Sequence, residues 1–264
     1  MLTNIKTVSI RVIRALIYIM IEERLTPLIS KRFLNEEKYR QGHIRIVNAL
    51  PERRIMGLHL PEMKQVAKEL AKEPDVCLLL KSFEKVHQAN RFGLAYEETL
   101  VWGLTINALK CPLEERMSFL QAYIPVLDNW AVCDSFCCNA KWAQKMPAHD
   151  LWTFLLPYFH SKKEFEVRFA IVMSMCYLMN EEWLPTVFHQ LEAIQLSEVI
   201  SEYDLPHSPY YVRMGMAWLL ATALAKYPDA TRAFMNRTSL PEDVKRLYVR
   251  KAREYFRTRN VSPY

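Results

Sequence analysis

The chain has 264 residues and a mass of 31.2 kDa, enough to bury a sizeable core without disulfide or metal support. Only 5 glycines accompany 14 prolines, which argues against hairpin-rich β architectures and against phosphate-cradling glycine loops. The net charge of +6, with a pI near 8.9, suits a polyanionic partner without singling one out.

Leucine, methionine, alanine, glutamate, lysine and arginine abound, all tolerant of helix interiors, so the predicted class is all-α. Near the N-terminus the run 15–21 is apolar behind Arg11 and Arg14. It lacks a small-residue cleavage site and is too short to span a bilayer, so it predicts an amphipathic helix packed on the domain. Met20 is a second candidate start.

Residues 35–47 then read as one helix, with Glu36 and Glu37 in its first turn and Pro51 just beyond. Pro61 opens the next, over 62–72. Asp75 starts another, whose stripe is Val76, Leu79, Leu80, Phe83 and Val86. Helices follow over 96–110, 113–123 and 126–141, the last two separated by Pro125. Further helices are predicted over 147–159, 181–194 and 209–226. Ser161 with Glu164, and Ser239 with Glu242, have the form of capping boxes. The first opens a helix through Met179 and the second opens the terminal helix. The segment 197–208 reads as a longer loop.

Helices of about 12 to 16 residues recur in pairs roughly 40 residues apart, the cadence of HEAT or armadillo repeats. A compact bundle is the other architecture open to the same pattern. No linker or low-complexity tract divides the chain, so 22–264 is predicted as one domain behind an extension at 1–21.

The six cysteines form no framework and no Cys-x-x-Cys pair. Reduced thiols in a cytoplasmic protein are expected, with no metal and no cofactor. Cys137 and Cys138 are adjacent, so on a helix they point apart.

Two segments carry the functional signal: Asp128-Asn129-Trp130-Ala131-Val132-Cys133-Asp134 and Tyr210-Tyr211-Val212-Arg213-Met214-Gly215-Met216-Ala217-Trp218. On a helix, Trp130 and Asp134 share a face, so an indole and a carboxylate project together. An aromatic wall beside a carboxylate suits a cationic group. The alternative is ordinary core packing for Trp130 and Trp218, with Asp134 capping or pairing. Arg168 stands one turn after Glu164. It reads either as half of a local salt bridge or as a fork for a phosphate or catalytic carboxylate. The terminal helix carries Lys245, Arg246, Arg250, Lys251 and Arg253, a phosphate-tracking surface or a solvated basic face.

Taken jointly, these residues resemble the DNA alkylation-repair proteins of the AlkD type, built from HEAT-like repeats. The resemblance runs from about Glu22 to Arg257. Its markers are Ile55-Met56-Gly57-Leu58-His59-Leu60-Pro61, Ala67-Lys68-Glu69-Leu70, 128–136, 165–169 and 210–218, in that order. It implies an α-α superhelix and a monofunctional glycosylase that releases cationic N3- and N7-alkylated purines without base flipping. It also places Trp130, Asp134, Arg168 and Trp218 in the catalytic cleft. The implied partner is duplex DNA with alkylated bases, met by a monomer, with Arg213 and the terminal-helix cations on phosphates and no membrane involved. A catalytically silent module preferring branched or distorted DNA, and a protein-binding solenoid, are the competing expectations.

Overall fold

The computed structural model describes residues 21–254 and 256–264. Among them are fourteen α-helices joined by short 3₁₀ turns, and the one extended pairing is a parallel bridge between Lys163 and Ile200. The class is all-α, as composition predicts. No helix of the described residues is long and apolar enough to cross a membrane. The predicted N-terminal helix lies outside the described residues except for Ile21, which is fully buried. The chain divides into two compact units between Asn139 and Ala140.

The first unit contains α1 (Glu23–Leu25), α2 (Lys31–Asn35), α3 (Glu37–Val47), α4 (Leu60–Leu70), α5 (Val76–Ala89), α6 (Tyr96–Ala108), α7 (Leu113–Tyr123) and α8 (Trp130–Cys138). The single helix predicted over 35–47 begins later, because Glu36 is extended at φ −113° and ψ 102° and separates α2 from α3. Every stripe residue of α5 is buried, which accounts for its placement against α6.

Helix α6 is the centre of this unit and is buried on all sides from Tyr96 to Ile106. Trp102 stacks on Phe83 at 5.7 Å and meets Tyr123 edge-on at 5.2 Å. Gly103 makes this packing possible, since a Cβ there would collide with the Tyr123 ring and hydroxyl. At the start of α6 the buried Glu97 accepts N–H groups from Met56 (2.8 Å), Gly57 (2.6 Å) and Leu58 (3.3 Å). That loop also needs Gly57 itself, which has φ +94° and lies flat against the Phe33 ring.

The second unit contains α9 (Ala148–Phe159), α10 (Glu164–Tyr177), α11 (Leu184–Ala193), α12 (Tyr210–Lys226), α13 (Pro228–Met235) and α14 (Glu242–Glu254). Helix α10 is its centre, packed between α9 and α12, and α14 packs on the same α12. The sequence reading missed α13, whose Pro228 occupies the first helical turn.

Both predicted capping boxes are corrected. The Ser161 hydroxyl bonds Glu166 at 2.7 Å, and Glu164 instead serves residues some forty positions away. Ser239 gives its N–H to Glu192 at 2.9 Å rather than closing a box with Glu242. In the first case distant donors claim the glutamate, and in the second a distant acceptor claims the serine.

Candidate active-site residues

Helix α8 starts at Trp130 because Asn129 caps it. The Asn129 Oδ1 accepts N–H groups from Ala131 (2.8 Å) and Val132 (3.4 Å). Its Nδ2 donates to the carbonyls of Val47 (2.9 Å) and Asn48 (3.3 Å). These are the last carbonyls of α3, where Asn48 turns into the left-handed region at φ 47°. The Trp130 indole N–H donates to the Ile46 carbonyl at 3.3 Å. One side chain therefore sets both the start of α8 and its anchorage on α3. The neighbouring Asp128 is buried in an ion pair with Arg53, whose guanidinium also donates to the Leu94 carbonyl at 2.9 Å.

Within α8, Val132, Cys133, Phe136 and Cys137 are buried, whereas Trp130, Asp134 and Ser135 are half-exposed and Cys138 is exposed. Trp130 and Asp134 thus occupy the accessible face of their helix, not its core face. Cys137 and Cys138 do point apart, one inward and one outward.

Helix α12 repeats the pattern in the second unit. Its residues are mostly buried, but Tyr210, Met214, Trp218 and Thr222 are half-exposed at a spacing of four. Trp218 is therefore also on an accessible stripe. The start of α12 is held from α10 by two side chains. Glu164 accepts the Tyr211 N–H at 2.6 Å and the Ser201 hydroxyl at 2.5 Å. Arg168 donates to the Tyr211 carbonyl at 2.6 Å, and a Cβ added at Gly215 would lie 3.5 Å from its Nη1. Arg168 is only 3% exposed, so its guanidinium faces the protein. Burial raises the Glu164 carboxyl above its usual range, while the Ser201 hydroxyl, the donated N–H groups and Arg168 pull it back down.

The predicted phosphate contacts separate into two groups. Arg213 is held by Asp243, in the first turn of α14, at 3.0 and 3.1 Å. On α14, Lys245 pairs with Glu242 at 3.0 Å, and Glu254 receives Lys251 at 2.9 Å and Arg250 at 3.6 Å. Arg246 and Arg253 are exposed, and no carboxylate among the described residues pairs with either. Among the described residues, no group of three or more histidine, cysteine or acidic side chains is placed to hold a metal.

The model of the DNA alkylation repair enzyme family matches residues 31–256, from α2 to just past α14. The chain belongs to that family. No curated protein and no solved structure gives a match. Membership supports a role in alkylation repair. Asn129 and Glu97 were missed by the sequence reading. An asparagine directly before Trp130 was an available cap signal, whereas nothing local marked Glu97.

Proposed function

We propose that this member of the DNA alkylation repair family is a monofunctional glycosylase, built on HEAT-like repeats, that hydrolyses the N-glycosidic bond of cationic N3- and N7-alkylated purines without flipping the base. Residues 22–264 act as one functional domain of a cytoplasmic monomer. The observation that carries the reading is the pairing of an indole and a carboxylate, one turn apart, on the accessible face of α8.

The chemistry follows from the residue types. An alkylated purine already carries positive charge, so its departure needs no proton donor. As the glycosidic bond lengthens, its electron pair moves onto the base and neutralises it, while positive charge develops on the sugar as an oxocarbenium ion. Water then supplies oxygen to the anomeric carbon and loses a proton to solvent. Asp134 stabilises the developing charge and orients that water. The faces of Trp130 and Trp218 each favour a nearby cation by roughly 0.5–2 kcal/mol. Arg168 is a positioning residue, since it fixes the first turn of the helix that carries Trp218. Neutral bases are rejected because their departure demands protonation.

A second reading, a catalytically silent module for branched or distorted DNA, draws support from one feature. In the stretch joining α3 to α4, Arg53 is turned inward onto Asp128 rather than toward a partner. The deciding experiment incubates the protein with methylated duplex DNA and chromatographs the released bases. Release of 7-methylguanine and 3-methyladenine is the expected result. No release, with tighter binding of four-way junctions than of linear duplex, establishes the second reading instead.

A further inference from the structure

The tail after α14 folds back along that helix. The Thr258 hydroxyl donates to the Ala252 carbonyl at 2.7 Å, and the Tyr248 hydroxyl donates to the Pro263 carbonyl at 2.8 Å. The Ser262 hydroxyl donates to the Tyr264 carbonyl at 2.7 Å, and the Tyr264 ring stands edge-on to Tyr248 at 6.2 Å. Tyr264 is thereby returned beside the first turns of α14 and is 44% exposed. With Val249, Lys245, Arg246, Arg250 and Arg253 it lines a groove of about 510 Å³. Glu242 and Glu254 also border this groove, but both are already paired with lysine or arginine.

We propose that the groove holds unpaired nucleotides flanking duplex DNA, a base on the Tyr264 ring and phosphates on Arg246 and Arg253. The inference rests on the reading of α14 as a DNA-binding surface and adds which form of DNA it takes. Three observations lead there. Arg246 and Arg253 are two helical turns apart, about 10 Å along the axis, too far for one phosphate to bridge. The ligand is therefore a chain of phosphates. An exposed aromatic ring among guanidinium groups suits a base whose face is uncovered, and in a duplex interior both faces are already stacked. Val249 provides an apolar side to the same groove, which a phosphate backbone alone does not use. Tyr264 lies beyond the residues 31–256 that the family model matches.

The test measures fluorescence anisotropy of the full chain on a blunt duplex and on the same duplex with a short thymidine overhang. The expected preference for the overhang is about ten-fold, the size of one stacked base. Tyr264→Ala removes the preference, leaving the affinity for blunt duplex unchanged. Tyr264→Trp keeps it, which separates stacking from a structural role against Tyr248. The double variant Arg246→Ala/Arg253→Ala weakens both duplexes and flattens their salt dependence. Equal wild-type affinity for the two duplexes, or a preference that survives Tyr264→Ala, overturns the inference alone. Failure to bind either duplex at low salt overturns the DNA-binding reading of α14 along with it.

Discussion

Glu97 and Glu164 occupy the first turns of α6 and α10, the most buried helix of each unit, and each reaches out to backbone N–H groups of a distant segment. Glu97 takes three N–H groups of the 56–58 loop, all from backbone. Glu164 shares its task with Ser201 and with Arg168, and what they hold is the opening turn of α12. The first clamp therefore stabilises a loop. The second sets the helix that presents Trp218. Similar chemistry supports architecture in one unit and, in the proposed function, site geometry in the other.

The largest expected effect breaks the first clamp. Glu97→Ala leaves three buried N–H groups without their acceptor, a loss of about 4 kcal/mol in urea unfolding. At temperatures where the variant stays folded, its base release should match the wild type. Arg168→Ala comes next, with a stability loss of about 3 kcal/mol from an unsatisfied carbonyl and a vacated space. Here release should fall further than the folded fraction does, because α12 is no longer fixed. A fall that tracks unfolding alone would make Arg168 purely architectural. Asn129→Ala is smaller, about 1–2 kcal/mol, since it removes the cap of α8 and its bonds to the end of α3.

The finest distinction comes from pH. Burial raises the carboxyls of Glu97, Glu98 and Glu164 above their ordinary value of 4.5. A raised folded-state value means the native protein binds protons more tightly than the unfolded chain. These groups therefore contribute stability that is full below about pH 4.5 and is lost as pH rises through the raised values. Glu97→Gln should flatten that decline, read as urea midpoints across the range; an unchanged slope would assign it to other groups.

What could be read from the sequence was whatever depends on neighbours in the chain. The α5 stripe and the bounds of α7 follow from local periodicity and from Pro112 and Pro125. That Trp130 and Asp134 share a helix face follows from their spacing of four; that this face is accessible does not. What escaped depends on distant partners. Ser161 and Glu164 match a capping pattern, but Tyr211 is 47 residues away from Glu164 and wins its carboxylate. The partner of Arg213 is Asp243, 30 residues on, a pairing with no local signature. The tail's return to α14, which brings Tyr264 to the basic groove, has no local signature at all.

The central claim is that Asp134 promotes loss of a cationic base. Single-turnover release of 7-methylguanine should fall by about a hundred-fold or more in Asp134→Asn, on the scale of a lost electrostatic stabiliser, while affinity for the methylated duplex stays unchanged. Equal release rates for wild type and Asp134→Asn would contradict the account.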